Sequence, residues 1–434
     1  MNWWRQLNIY CYGRVEWIAS IVFFMPVFFL TVKSWVTTSV FLLFFICCWP
    51  VIKNPRHYFR NRSKEFWVML VCLIMPFLSE VFAQIGRGQI TSSSLDGPSR
   101  MFLAAGIFVY LSKSNPVKLI QGLSYGSAFG VMIVFLSLVT FSEYYWGNRA
   151  ATYFVDPITL PCYTVGLLGL VLFWGRRVFP GDVDVFCKVV LTIIAGYIVV
   201  ESQSRSAFVA IAFLLATYVV FYFRFSFKLQ ISGLVSLILG LIFVYFISEI
   251  VQNRVNASVS GVLAFLFPDE FSSSTIWSTS SGQRIILGLI DLHLMKSNPL
   301  FGVGDRSPLP PYEELLVVIP MLNKEIYEIK VLAGSHSELL AKLVRQGFIF
   351  GVLSLGSLFF YPLYLLLWKH RKLTFAIESP LAVGLGMFLP ILASALTIQV
   401  FNLKMTMSFY GIFLAIFFAY LCWSVESKIA NPIN

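Results

Sequence analysis

The sequence predicts an all-α polytopic membrane protein with about 12 transmembrane helices. Its 434 residues are 58% hydrophobic and only 12% charged, whereas soluble domains are about half apolar and a quarter charged. The mean hydropathy is +0.79, and apolar runs of spanning length recur along the chain. Inside lipid, only helices and closed barrels satisfy the backbone hydrogen bonds, so these runs predict helices.

The apolar runs divide the chain into three parts. Nine predicted spans lie in residues 1–250, a long loop with short helices occupies 251–335, and three more spans lie in 336–434. We interpret the first span as retained rather than as a signal peptide, because no small-residue cleavage site follows it. The twelve predicted spans are 15–32, 34–52, 66–85, 99–112, 117–141, 158–174, 186–201, 206–223, 229–250, 337–368, 380–398 and 406–424.

Basic residues concentrate in the loops that follow every second predicted span. By the positive-inside rule these loops are cytoplasmic, which places both termini in the cytoplasm. The loop 251–335 then lies on the periplasmic side, and loops of this length are usually functional or disordered. Its apolar stretches, including a predicted helix at 281–297, favour folded structure. The basic loops are 53–65, 112–118, 175–188, 223–228 and 369–373.

Cysteine and histidine give no sign of a metal or redox centre. The seven cysteines follow no framework spacing, and the four histidines do not cluster with them. We therefore expect no metal and no cofactor. Part of the net charge of +11 lies in the basic loops, where we expect contact with membrane lipids. We expect no nucleic-acid partner.

Arginines on the predicted periplasmic side stand out, because the positive-inside rule makes them uncommon there. Arg205 lies between two serines at the start of a span, where a buried guanidinium is costly without a partner or ligand. The planar guanidinium fork suits phosphate oxygens, so Arg205, Arg149 and Arg284 predict an anionic ligand such as a lipid pyrophosphate. The alternative is an interfacial anchor or a salt bridge, which we favour for Arg87, Arg254 and Arg306.

The stretch "GSHSELLAKLVRQG" (334–347) places His336 where a predicted span begins. Ser335 and Glu338 match a capping box, which would put His336 in the first helical turn. The positive potential of a helix N-terminus favours a neutral imidazole, which could act as a general base. Gly347, about three turns later, would lie on nearly the same helix face. The alternative is an interfacial histidine bonded to a carbonyl group.

Several of these segments together resemble the bacterial O-antigen ligase and polymerase superfamily. The resemblance covers most of residues 95–355, and His336, Ser337 and Gly347 match the spacing of the family motif. It departs from the family where a small residue is expected, since Phe350 stands there and Gly351 follows one place late. The resembling segments are "LDGPSRMFLAA" (95–105), "GNRAATYFVDPI" (147–158), "SQSRSAFVAI" (202–211), "SGQRIILGLIDLHLMKSNPLFGVGDRS" (281–307) and "GSHSELLAKLVRQGFIFGVLSL" (334–355).

The resemblance implies a GT-C-like membrane glycosyltransferase of lipopolysaccharide biosynthesis. The donor would be a glycan on undecaprenyl pyrophosphate, and the acceptor the lipid A–core oligosaccharide, at the periplasmic face of a Gram-negative inner membrane. His336 would be the catalytic base, Arg205 and Arg284 would bind the pyrophosphate, and Arg149 would be a third contact. Because the loop after the first predicted span has no carboxylate to hold a cation, we expect metal-independent, inverting transfer.

Three alternatives stay open at the level of sequence. An O-antigen polymerase would use the same donor but add it to another lipid-linked glycan, and a related ligase would transfer to a protein. A transporter would need ionisable residues near the middle of the bilayer, often in repeated halves with broken helices. The chain has no internal repeat, and Lys342 and Arg345 are the exceptions to its scarcity of charges within spans.

Overall fold

The computed structural model describes residues 16–141, 149–174, 183–267, 273–304, 309–333, 335–374, 379–401 and 403–430, and within these ranges the chain is helical without strands. Each of the twelve apolar segments coincides with a helix. The largest difference is in α5, which begins seven residues before the predicted segment (92 against 99). The helices are α1 Glu16–Phe28, α2 Trp35–Lys53, α3 Pro55–Phe59, α4 Lys64–Arg87, α5 Ser92–Leu111, α6 Val117–Thr140, α7 Thr159–Leu172, α8 Val183–Ser202, α9 Arg205–Tyr222, α10 Phe227–Ile247, α11 Glu249–Leu266, α12 Ser273–Ser278, α13 Ser280–Ser297, α14 Tyr312–Val318, α15 Lys324–Ala333, α16 Glu338–Lys369 (which includes two π-helical turns), α17 Arg371–Thr374, α18 Pro380–Ala395 and α19 Lys404–Ala430.

Eight of the described helices are long and apolar enough to cross a membrane: α2, α4, α6, α8, α9, α10, α16 and α19. The apolar helices α1, α7 and α18 are shorter, at 10–17 residues. The structure therefore supports a polytopic, all-helical membrane protein. The total of twelve spans, the GT-C-like arrangement and the membrane orientation stay predictions.

Helices α7, α18 and α19 form the centre of the bundle. In the most apolar stretch of α19, 94% of the residues are buried inside the protein. In the corresponding stretch of α10, no residue is buried. Helices α7 and α18 touch at two glycines, since a β-carbon on Gly169 would lie 1.8 Å from the carbonyl oxygen of Gly386. Small residues allow such close backbone approach where lipid supplies no hydrophobic force between helices.

Helices α11 to α15 occupy most of the predicted loop 251–335 and have their own apolar cluster. Ile286 and Ile290 of α13 are fully buried there, together with Leu315 of α14 and Ile326 of α15. Val344 of α16 belongs to the same cluster. The segment is therefore folded and packs against the first turns of α16.

Helix α16 is interrupted at Gly347, which adopts φ 76° and ψ 171°. The turn 298–304 bonds to the interrupted backbone: the amide of Phe348 donates to Pro299 O (2.7 Å), and the amide of Val303 donates to Val344 O (2.8 Å). The expectation that Gly347 continues one helix face from His336 is therefore wrong. The glycine serves a close crossing of two backbones, where the positive φ disfavours other residues.

Candidate functional site

His336 lies just before α16 rather than in its first turn. Ser337 is the N-cap residue, and its hydroxyl donates to Ala395 O at 3.3 Å instead of capping the helix. The capping box predicted for Ser335 and Glu338 is wrong, because the Ser335 hydroxyl donates to Asp291 Oδ1 at 2.8 Å. The backbone amide of Glu338 donates to Ile398 O at 3.0 Å. These contacts fix the backbone on both sides of His336.

The environment of His336 favours a neutral imidazole. Its side chain is partly buried, and burial lowers the pKa of His336 to about 4, with the cationic side chains of Arg284 and Lys330 acting in the same direction. The neutral imidazole expected from the sequence therefore has a different cause. Desolvation and neighbouring cations lower the pKa, rather than a helix N-terminus.

Arg205 and Arg284 are brought together by the contact between α9 and α13. Arg205 is the first residue of α9, and its Nη1 donates to the hydroxyl of Ser281 in the first turn of α13 at 2.6 Å. Arg284 follows Ser281 by one turn, so it lies on the same side of α13. Arg284 makes no hydrogen bond or ion pair with the part of the chain that the structure describes. Its guanidinium is therefore available to a ligand.

Arg149 joins these two residues through the segment that follows α6. Its Nε donates to Ser202 O at 2.9 Å, and the amide of Ala150 donates to Glu201 O at 3.1 Å, which fastens the segment to the end of α8. Burial is the largest influence lowering the pKa of Arg149. The charges of Arg254 and Arg284 lower it further, and Asp156 opposes them.

Arg254 is a member of the site that sequence reasoning missed. It lies on α11 and donates a hydrogen bond to the side chain of Gln203, which directly precedes Ser204 and Arg205. The sequence favoured an interfacial anchor for Arg254, because nothing in its local pattern connects it with residue 205. We call Arg149, Arg205, Arg254 and Arg284 the arginine cluster.

The charge of Asp156 acts against the mutual repulsion of the arginine cluster at Arg149. The Oδ1 atom of Asp156 accepts the amides of Ile158 and Thr159 at 2.9 Å each, so its carboxylate is engaged at the start of α7. Gathered guanidinium groups raise one another's electrostatic energy, and a bound anion relieves this repulsion. Arg284 acts on His336 as well as on Arg149. The site therefore combines a concentration of positive charge with a neutral imidazole on which the same arginine acts.

Several other charged residues make structural contacts. Arg100 pairs with Asp96 and lies 4.6 Å from the ring centroid of Phe41. Lys342 lies 3.7 Å from the carboxylate of Glu338. The side chain of Arg345 donates to Gln399 Oε1 at 3.0 Å, and Arg87 donates to the carbonyls of Phe301 and Arg345. Asp305 and Arg306 lie outside the described residues.

The described residues contain no group of three or more histidine, cysteine or acidic side chains that could hold a metal ion. Cys47, Cys48, Cys72, Cys162, Cys187 and Cys422 are free thiols.

The fold and the site define a polytopic helical membrane protein in which a cluster of arginines acts electrostatically on a histidine. Residues 190–355 match the family model described as O-antigen ligase. The match supports, over this region, the resemblance to the O-antigen ligase superfamily seen in the sequence. A search of curated proteins found no match. The matched region contains Arg205, Arg254, Arg284 and His336, whereas Arg149 precedes it.

The resemblance implies glycan transfer with His336 as the base, and the pH dependence of that reaction should then reflect the low pKa of His336. A base whose pKa has fallen from 6.5 to about 4 is deprotonated at pH 7, so kcat/KM should stay constant from pH 7.5 down to pH 6. It should fall only as the pH approaches 4. A bound pyrophosphate favours the imidazolium, so the acid limb of kcat should lie at higher pH than that of kcat/KM. Steady-state rates across pH measure both limbs, and a kcat/KM limb at pH 6.5 or above would contradict this environment.

The resemblance implies that Arg205 binds the donor pyrophosphate, and replacing Arg205 with lysine should then weaken donor binding although the positive charge is kept. Lysine cannot reproduce the planar fork that binds Ser281 and leaves further donors for a phosphate. Loss of one charge-assisted hydrogen bond corresponds to about 10- to 100-fold in the donor KM. The matched control is Arg224→Lys near the other end of α9, where the guanidinium stacks on Phe225 at 4.6 Å. Equal donor KM values in the two variants would exclude phosphate binding by Arg205.

Proposed function

We propose that the protein is an O-antigen ligase. It transfers a glycan from undecaprenyl pyrophosphate to the lipid A–core oligosaccharide at the periplasmic face of a Gram-negative inner membrane. The observation that carries the proposal is that the family match includes both Arg284, which pairs with no described residue, and the neutral His336, whose pKa is lowered by burial and by the charge of Arg284. The alternative within the same superfamily is an O-antigen polymerase, which uses the same donor.

In this mechanism His336 is the general base. Its neutral imidazole accepts the proton of the acceptor sugar hydroxyl while the hydroxyl oxygen attacks the anomeric carbon of the donor glycan. The bond between that carbon and the phosphate oxygen breaks, and undecaprenyl pyrophosphate leaves with the bonding electron pair. Attack opposite to the leaving group inverts the anomeric centre.

The arginine cluster supplies the electrostatic part of the mechanism. Negative charge develops on the bridging phosphate oxygen as the glycosidic bond breaks, and preorganised guanidinium groups stabilise that charge. Arg284 is central because it acts on both the cluster and His336. Four positive side chains can therefore perform the role that a divalent cation performs in metal-dependent transferases.

The test is transfer by the purified protein in detergent. The donor is undecaprenyl-pyrophosphate-linked glycan and the acceptor is lipid A–core, with products resolved by gel electrophoresis and mass spectrometry. Glycan attached to the core supports the ligase. Lengthened lipid-linked glycan with unmodified core would instead identify the polymerase, and no product in either form would favour a transporter.

Chelation should leave the reaction unchanged. Because guanidinium groups stabilise the leaving pyrophosphate, transfer in millimolar EDTA should equal transfer in added magnesium within about twofold. Initial rates in the two buffers, after dialysis of donor and protein against chelator, make the comparison. Activity lost in EDTA and restored by magnesium would require a metal-dependent mechanism.

A further inference from the structure

Three buried polar side chains form a hydrogen-bond network that includes Ser335, the residue before His336. Ser335 donates to Asp291 Oδ1 at 2.8 Å, and the ammonium of Lys330 donates to Ser335 Oγ at 3.1 Å and also to Asp291 Oδ1. The relative exposures are 1% for Asp291 and 5% for each of the other two residues. A lysine and an aspartate are almost never fully buried unless they are paired. The network is therefore part of the protein interior rather than a surface contact.

The network joins the elements that carry the two parts of the site. Asp291 lies on α13, seven residues after Arg284, which is about two helical turns and the same helix face. Lys330 is on α15, and Ser335 immediately precedes His336. The network thereby fixes the distance between the helix that presents Arg284 and the backbone that presents the imidazole.

The imidazole of His336 depends on its backbone for position. It makes no hydrogen bond to the described part of the chain, so no side chain there holds the ring directly. The carbonyl of Ser335 accepts from Gln399, whose own Oε1 accepts from Arg345 at 3.0 Å. Ser335 is therefore held through both its side chain and its carbonyl, and it determines where the next residue points.

We propose that Asp291, Lys330 and Ser335 are positioning residues that hold the imidazole of His336 at the correct distance from Arg284 for base catalysis. This inference rests on the proposed function, because it assigns a role within that reaction. The three residues are too buried to contact a donor or acceptor, so they act through His336. They should affect turnover more than donor binding, since the arginine cluster does not include them.

Ser335→Ala is the mildest test, because it removes one hydroxyl and leaves the ion pair. We expect kcat to fall about 10- to 100-fold, because a displacement of a reacting group by about 1 Å can lower the rate by that factor. The donor KM should stay within twofold of the wild-type value. Asp291→Asn should produce a similar fall. If the residues form one unit, the double variant should lose little more than either single variant. The matched control is Ser297→Ala, also on α13 but outside the network, whose hydroxyl donates to Leu294 O.

A second measurement does not depend on transfer. The rate at which diethyl pyrocarbonate modifies His336, followed by peptide mass spectrometry without donor, reports the local environment of the imidazole. We expect the rate to change several-fold in Ser335→Ala and Asp291→Asn and to stay unchanged in Ser297→Ala. If Asp291→Asn does not fold, Asp291→Leu combined with Lys330→Met removes both charges together and should show the same change.

The two proposals can fail separately. If wild-type protein transfers no glycan but the modification rate changes as expected, the network does position the imidazole, but the ligase proposal and the role in base catalysis are both wrong. Wild-type kcat and wild-type His336 reactivity in both network variants would overturn the positioning role. A raised donor KM with normal kcat would overturn it as well, because the network would then support the arginine cluster.

Discussion

Replacement of His336 with asparagine should reduce glycan transfer by about 10²- to 10⁴-fold, the usual contribution of a general base. Asparagine keeps a similar size and polarity but cannot accept the proton of the acceptor hydroxyl. Donor binding should change little, because the arginine cluster stays intact. The measurements are the initial rate of transfer and the donor KM of the purified variant.

The matched control for His336→Asn is His57→Asn. His57 is an exposed residue of the short helix α3, so its variant should transfer at the wild-type rate. Both variants should reach normal amounts in the membrane, because neither side chain is part of the apolar core. Transfer by His336→Asn within tenfold of wild type would remove the base assignment and leave His336 as an interfacial residue.

Replacement of Gly347 with alanine should strongly destabilise the protein. A β-carbon there would lie 2.3 Å from Leu300 O and 2.6 Å from Phe301 N, both of which are backbone atoms. The backbone also has φ 76°, and such a conformation costs about 1–3 kcal/mol for a non-glycine residue. The turn 298–304 would have to separate from α16. We expect a lower unfolding temperature in detergent and the loss of transfer.

The control is Gly356→Ala in the same helix. Gly356 has helical dihedral angles, and a β-carbon there would meet nothing within 4 Å. Alanine should therefore be neutral or stabilising by up to about 1 kcal/mol. Gly302→Ala should resemble Gly347→Ala, because its β-carbon would lie 2.4 Å from Gly347 N. Thermal unfolding of Gly347→Ala at the wild-type temperature would show that the two backbones can separate freely.

Gly347 and Ser335 both stand in local patterns, but the structural role of each depends on residues distant along the chain. The spacing between His336 and Gly347 was visible in the sequence, but its reason is a backbone crossing with residues 298–304, which are distant along the chain. The pattern of Ser335 and Glu338 fits a capping box. A buried lysine and aspartate take the serine hydroxyl instead, because an unsatisfied buried charge costs more than an uncapped amide. Local motifs cannot weigh that competition.

Three members of the arginine cluster could be predicted from the sequence, and the fourth could not. Arg205, Arg149 and Arg284 were predicted from their serine-flanked or motif context and from the scarcity of arginine on the predicted periplasmic side. Arg254 carries no such signal, and its place beside Gln203 follows from the packing of α11 in the folded protein. The low pKa of His336 likewise depends on Arg284 and Lys330, which no sequence spacing connects with residue 336.

The sequence by itself determined the helical class, the approximate limits of the helices and the resemblance to a known family. Apolar runs must become helices in lipid, and the motifs that carry the resemblance are local. Only the tertiary structure decided which helices are central, where the helix after His336 begins, why Gly347 is a glycine and which cations surround the imidazole. These properties arise from contacts between residues far apart in the chain. Their energies depend on burial and on distances that the order of residues does not specify.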